Sequence, residues 1–114
     1  MKIKKFEEII SWQKAGTLSL NIYKLFKHSR DFSFRDQIQR ASISMMNNIA
    51  EGFERKTNKE FKNFLYIAKG SCAEVRSMLY IAFKLEYINQ KQFNENYKLC
   101  LEISKTISGL IKTL

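Results

Sequence analysis

The spacing of the apolar residues limits this chain to helices more strictly than any other feature of its sequence. Along nearly all of its 114 residues, apolar side chains recur every three or four positions, which is the repeat of one helix face. The sequence lacks the alternating pattern of a half-buried strand, and it contains no proline, the commonest helix breaker. A chain of this length buries enough surface for one core. We therefore predict a single all-α domain over residues 1–114.

Four segments carry this helical repeat, and short polar stretches separate them. The segments cover residues 5–28, 34–55, 58–87 and 91–114. Thr57 precedes Glu60 by three positions, the spacing of a capping box, so the third helix should begin after Thr57. Gly70, in the middle of that helix, is interpreted as a point where a neighbouring helix approaches closely. Connections this short force consecutive helices to run in opposite directions, which predicts an antiparallel up-down-up-down four-helix bundle.

Two of the apolar stripes are wider than the core of one bundle requires. Trp12 adds to the stripe of the first segment, and Tyr66 and Tyr80 broaden that of the third. Apolar surface in excess of the core is typical of contact between proteins. We therefore predict a homo-oligomer, with Trp12, Tyr66 and Tyr80 at the interface between copies.

The chain is strongly basic, with a net charge of +9 and a pI near 9.7. Such a surface attracts polyanions such as RNA, DNA or anionic lipid. Bases recur at every seventh position, nearly two helical turns, and so share one face: Arg55, Lys62, Lys69 and Arg76. Other bases are expected near the same end: Arg40, Lys56 and Lys59. We predict that these seven residues contact the phosphates of nucleic acid; the alternative is that they serve solubility alone.

A second series of bases at seven-residue steps lies in the fourth segment: Lys91, Lys98, Lys105 and Lys112. Here Glu95 and Glu102 stand three or four residues from lysines, which is the spacing of ordinary ion pairs on a helix surface. This second series is therefore interpreted as a solvated face without a binding role.

The sequence lacks the residue patterns of the common catalytic and metal sites. His28 is the only histidine, so the Glu-x-x-His pairs of a di-iron bundle cannot form. No serine or cysteine lies in a nucleophile-elbow context, and the glycines are too far apart for a phosphate-binding loop. Cys72 and Cys100 fall on apolar helix faces, where free thiols are usually buried. We predict no enzymatic activity, no catalytic residues, no metal and no cofactor.

No stretch approaches the roughly 18 uninterrupted apolar residues that a membrane helix needs. The basic start of the chain is followed at once by Glu7 and Glu8, so the apolar region of a signal peptide does not develop. We therefore expect a cytoplasmic protein without a membrane partner.

Several stretches closely resemble the four-helix-bundle proteins encoded in 23S rRNA intervening sequences. They are WQKA at 12–15, DQIQRASIS at 36–44, NIAEGF at 48–53, KEF at 59–61 and FLYIAKGS at 64–71. The likeness covers nearly the whole chain. This sequence departs from the family pattern at Met46, where a proline is frequent, and at Gln39, where an arginine is frequent. The first departure implies a less kinked second helix, and the second removes one base.

The resemblance implies a left-handed antiparallel bundle that assembles as a ring-like homopentamer, and most members have no established enzymatic activity. A similar branch, the accessory variability proteins of diversity-generating retroelements, binds nucleic acid and a partner reverse transcriptase through a basic surface. Six residues match motif positions and are interpreted as structural: Asp36, Arg40, Asn48, Glu51, Glu60 and Ser71. Asn48 and Glu51 are expected to bond to Arg40 or to a neighbouring subunit.

Two hypotheses of function follow from these features. The first is a homo-oligomeric, non-enzymatic module that binds RNA or DNA through the basic residues of the third helix. The second is an assembly scaffold that recruits a protein such as a reverse transcriptase, with the charge serving solubility only.

Overall fold

The computed structural model describes residues 2–114, and within them the chain forms four α-helices and no strand. The helices are α1 (Ile10–Leu25), α2 (Phe32–Phe53), α3 (Asn58–Lys84) and α4 (Gln90–Lys112). They form a body of 43 × 22 × 19 Å. The prediction of an all-helical four-helix protein is confirmed. None of the helices in the described part of the chain is long and apolar enough to span a membrane.

Each helix packs against two others, in the cyclic order α1, α2, α3, α4. The contacts show that neighbouring helices are antiparallel, because residue numbers rise along one helix as they fall along the next. Lys14 and Asn21 of α1, for example, bond to Glu102 and Asn96 of α4. The remaining neighbours pair in the same sense: Gly16 with Met46 and Ser19 with Ser42, Gln37 with Glu74 and Ser44 with Ser71, Cys72 with Cys100 and Tyr80 with Phe93. Two faces of the bundle, α1–α2 and α3–α4, therefore lie on opposite sides.

The core is built from one buried stripe on each helix. That of α3 is the predicted one, at steps of three and four: Phe61, Leu65, Ala68, Cys72, Val75, Leu79 and Ala82. Burying a large apolar side chain completely stabilises the fold by about 1.5–3 kcal/mol. One polar side chain on α4 is also buried, Asn96, and its amide is satisfied because it accepts from Asn21 and donates to the carbonyl of Gln92.

The start of α1 differs from the prediction. The helix begins at Ile10, whereas Phe6–Glu8 form a single 3-10 turn and Ile9 is extended. This turn folds the Phe6 ring back onto Trp12, with 5.1 Å between ring centroids. It is fixed by the side chain of Gln13, which donates to the carbonyl of Glu7 over 2.9 Å. The apolar residues at this end are therefore buried by a turn and not by a longer helix.

Side-chain caps set the starts of α2 and α3. The Asp31 carboxylate accepts from the amide of Phe34 over 3.2 Å, so α2 begins at Phe32, two residues before the predicted start. The predicted cap of α3 is confirmed, since the Thr57 hydroxyl accepts from the amide of Glu60 over 3.1 Å.

The close approach between helices occurs at Gly52 and not at the predicted Gly70. A Cβ added at Gly52 would lie 2.5 Å from the Cβ of Phe64, because the last turn of α2 packs directly on α3. A Cβ at Gly70 would meet nothing within 4 Å, since this glycine is exposed on the side of α3 away from the core. The prediction for Gly70 is wrong because the chain folds so that α3 turns this residue outward.

The two glycines give a matched test of this packing. Gly70→Ala should raise the free energy of unfolding by about 0.5–1 kcal/mol, because alanine costs less backbone entropy in an exposed helix. Gly52→Ala should lower it by about 1–3 kcal/mol, because the new methyl group overlaps Phe64. Urea denaturation followed by circular dichroism measures both. Effects of the same sign would contradict this packing.

Candidate nucleic-acid interface

Three of the predicted bases lie along the flank of α3 that faces α4. Lys62, Lys69 and Arg76 each directly follow a buried residue, so each stands about 100° around the helix from the core. They are half-buried. On this flank the Cys72 thiol donates to the carbonyl of Cys100 on α4 over 3.3 Å. The prediction that these three bases share one face is confirmed.

The antiparallel register places three lysines on the exposed side of α4 at the same heights along the bundle as these residues. Cys72 is level with Cys100, and the Tyr80 ring contacts Phe93 and Tyr97 with centroids 5.2 and 5.6 Å apart. At this register three cross-helix pairs are level with one another: Arg76 with Lys98, Lys69 with Lys105, and Lys62 with Lys112. We call these six residues the α3–α4 basic face. Successive pairs are seven residues apart, or about 10 Å along the helix axis.

The carboxylates of α3 and α4 are all engaged elsewhere. They pair as Glu60 with Arg55, Glu74 with Gln37, Glu95 with Lys91, and Glu102 with Lys14. Glu102 was expected to neutralise the lysines of α4, but it turns towards α1 and meets the Lys14 ammonium at 3.1 Å. Within residues 2–114, none of the six bases of the α3–α4 basic face forms an ion pair. The predicted ion pair between Lys91 and Glu95 forms, whereas among residues 2–114 Lys98, Lys105 and Lys112 have no ion pair; the interpretation of this series as a solvated face without a binding role stays a prediction.

Arg55 is not part of this face. It lies in the loop between α2 and α3, beyond the end of α2 at Phe53. Its Nε lies 3.5 Å from a carboxylate oxygen of Glu60, and its guanidinium stands 5.0 Å over the ring of Phe64. The prediction that Arg55 shares the face of Lys62, Lys69 and Arg76 is wrong, because the seven-residue spacing assumes one continuous helix from residue 55 to residue 76. Lys56 and Lys59, in contrast, are exposed at this end of the bundle.

Arg40 lies at a different height and on a different side from the one predicted. It borders a shallow depression between α2 and α3 that Gln37, Ser44 and Glu74 also line. Arg40 is 13 residues before the end of α2, a distance of about 20 Å. Arg40 therefore lies far from Lys56 and Lys59. It faces the α2 side of α3, near the Glu74 carboxylate, whereas the α3–α4 basic face is on the other flank of α3.

The three residues predicted at a subunit interface have different surroundings. Trp12 is half-buried by Phe6, so much of its surface is used within the protomer. Tyr80 is 44% exposed, although its ring packs on α4. Tyr66 is 58% exposed, and within residues 2–114 its side chain has no hydrogen bond and no aromatic contact. Because Tyr66 is also on the flank that carries Lys62 and Lys69, it is available for either of the two predicted roles.

An apolar groove between α1 and α2 escaped the sequence analysis. It has a volume of about 410 Å³ and is lined by Gly16, Ser19, Leu20, Tyr23, Ile43 and Met46. Leu20 is 63% exposed, which is more than any other large apolar side chain on α1. The available signal was the wide apolar stripe of the first segment, in which Leu20 and Tyr23 are the residues that the core leaves uncovered.

The motif residues form local bonds. Asn48 donates to the carbonyl of Ser44 over 2.7 Å, and the hydroxyls of Ser44 and Ser71 meet at 3.2 Å between α2 and α3. Within the protomer Asn48 therefore bonds to Ser44 and not to Arg40, and the alternative of a bond to a neighbouring subunit stays a prediction. Asp36 pairs with the adjacent Arg35 at 2.9 Å. In the described residues the exposed Glu51 side chain has no hydrogen bond within the protomer.

The two cysteines are buried free thiols, as predicted. The adjacent Cys72 thiol and burial together raise the pKa of the Cys100 thiol above its ordinary value. The described part of the chain has no cluster of three or more potential metal ligands among its histidine, cysteine and acidic residues. His28 is exposed just after α1.

The comparisons with known proteins agree with the resemblance seen in the motifs. The sequence profile described as 23S rRNA-intervening sequence protein matches residues 7–109, from the 3-10 turn to the last turns of α4. This chain belongs to that family. The match to the 23S rRNA-intervening sequence proteins thus includes residues of all four helices, and the resemblance is confirmed.

One solved structure similar to this chain is a protein of unknown function from the S23 ribosomal protein family of Bacteroides thetaiotaomicron. The two are 26% identical and superpose with a TM-score of 0.84, over 90% of this chain and 99% of the other. No curated protein matches the sequence.

The different surroundings of Arg55 and Lys69 predict different effects on nucleic-acid binding. Affinity falls as the salt concentration rises, and Lys69→Gln should make the slope of log K against log salt less steep by about 0.7–0.9, the value of one phosphate contact. Arg55→Gln should leave the slope nearly unchanged, because Glu60 already compensates this charge. Titrations of a labelled RNA at several salt concentrations measure both slopes, and equal decreases would contradict this assignment.

Proposed function

We propose that this protein is a non-enzymatic, homo-oligomeric module that binds nucleic acid through the α3–α4 basic face. The observation that supports it is the set of six bases on one face of the bundle, with every carboxylate of the same two helices engaged elsewhere. The proposal extends the predicted ridge of α3 to include α4, and it omits Arg40 and Arg55.

Rows of lysine and arginine side chains that form no ion pairs suit contact with a phosphate backbone. Each contact with a phosphate releases condensed counterions, which is the main source of affinity in non-specific binding. Lys62, Lys69 and Arg76 are half-buried, as is usual for long basic side chains whose stems cover apolar surface while their charged ends reach water.

Assembly would multiply these contacts. The α1–α2 groove is lined almost wholly by apolar surface, and it lies on the side of the bundle opposite the α3–α4 basic face. Because the two surfaces lie on opposite sides of the bundle, a copy that occupies the groove leaves the basic face of that protomer accessible. In the homopentamer that the resemblance implies, five such faces act together on one polyanion, and modest single affinities add to a high avidity.

The same groove favours a second function, which is recruitment of a protein partner. Leu20 and Tyr23 offer an apolar site of the kind that a partner helix occupies. On this alternative the charge serves solubility, and nucleic acid is not bound at moderate salt. The two functions are separated by the first of the following experiments.

Removing three charges from the basic face tests the proposed function. In the triple variant Lys62→Gln, Lys69→Gln, Lys105→Gln, affinity for a labelled RNA should fall about 100- to 500-fold at 0.1 M salt, because each lost contact costs about 0.7–0.9 of a decade. The control Lys4→Gln, Lys24→Gln, Lys27→Gln removes the same charge from exposed positions elsewhere. Fluorescence anisotropy measures both. Equal losses in the two variants, or no binding by the unaltered protein at low salt, would contradict the proposal.

The assembly part of the proposal is tested by a charge in the α1–α2 groove. Light scattering should give the unaltered protein a mass of several chains, and five times 13.5 kDa for the pentamer. Leu20→Glu should reduce the mass to that of one chain, because a carboxylate cannot be buried there without a partner. Leu85→Glu, at a similarly exposed position outside the groove, is the control and should leave the mass unchanged. A solitary unaltered monomer at micromolar concentration would rule out the oligomer.

A further inference from the structure

Tyr66 has two lysines beside it on the same flank of α3. Lys62 precedes it by four residues and Lys69 follows it by three, and residues at these spacings are neighbours on a helix surface. Neither lysine forms an ion pair in the part of the chain that the structure describes. An exposed aromatic ring thus stands between two free cations.

The Tyr66 ring is uncovered, unlike the other tyrosine on this flank. Tyr80 packs against Phe93 and Tyr97, so the faces and edges of its ring are partly used. Tyr66 is 58% exposed and has no ring partner among residues 2–114. A helical side chain covers the surface over the turn before its own Cα, so the residue at position 70 would cover Tyr66. That residue is Gly70, and the space where its Cβ would lie is empty.

This combination is suited to a particular form of nucleic acid. Unpaired bases stack on aromatic side chains while cations hold the backbone, and the bases of a duplex have no free face to offer. From Lys62 to Arg76 the row of basic residues extends about 21 Å, enough for several nucleotides. We propose that the α3–α4 basic face binds single-stranded nucleic acid in preference to duplex, with Tyr66 stacking on an unpaired base. This inference rests on the proposed function of the same face.

The test compares a fluorescein-labelled 20-nucleotide oligo(U) with a hairpin duplex of equal charge, by anisotropy at fixed salt. The unaltered protein should bind the single strand more tightly. Tyr66→Leu keeps an apolar side chain but removes the aromatic face, and should weaken binding to oligo(U) about 5- to 150-fold, the range for loss of one stacked base. Binding to the hairpin should change less than about threefold, and the salt slope should stay the same because no phosphate contact is lost.

Tyr66→Phe is the matched control, since it keeps the ring and loses only the hydroxyl. It should retain the affinity for oligo(U) within about threefold, because stacking on an aromatic ring does not need the hydroxyl. Light scattering on all three proteins gives a second readout, and the mass should be the same in each. A reduced mass for Tyr66→Leu would overturn the proposal in favour of a subunit contact.

Failure of this inference differs from failure of the proposed function. If single strand and duplex bind equally and Tyr66→Leu changes neither, stacking at Tyr66 is excluded while the basic face still binds phosphates. If the charge variants of the basic face bind both probes as well as the unaltered protein does, the proposed function and this inference fall together.

Discussion

The packing of α3 against α4 is the contact on which the rest of the interface depends. Small buried thiols at Cys72 and Cys100 bring the two helices together near the middle of the pair, and the rings of Tyr80, Phe93 and Tyr97 fix them near one end. Close-packed interiors leave little freedom for one helix to slide along another. The register is therefore fixed, and it aligns the bases of α3 with those of α4.

The electrostatic character of this surface depends on where the carboxylates point. Glu102 is near lysines of its own helix in sequence, yet it pairs with Lys14 across the α1–α4 contact. Arg55, which the seven-residue spacing assigns to the row of bases, is held by Glu60 over the ring of Phe64. The net charge of +9 is thus distributed unevenly, and the basic face is free of the ion pairs that the sequence spacing suggested.

Two of the exposed apolar groups lie on opposite sides of the bundle. The α1–α2 groove presents Leu20 and Tyr23, whereas the opposite side presents Tyr66 among cations. An apolar groove suits contact with protein, and an exposed aromatic ring among basic side chains suits contact with nucleic acid. The two kinds of surface do not overlap, so the proposed assembly and the proposed binding do not compete for the same residues. Residues 7–109, which match the family profile, include both.

The sequence by itself determined the four helices, the buried stripe of α3, the Thr57 cap and the family, because periodicity and capping are properties of residues close together in the chain. It also identified Lys62, Lys69 and Arg76 as one flank. Only the tertiary structure decided which basic residues of α4 are level with these three. It also decided that the close contact between helices is at Gly52 and not at Gly70, and that a turn packs on Trp12. These features depend on which residues of different helices lie level with one another. That register is set by packing between distant segments, and no local spacing records it.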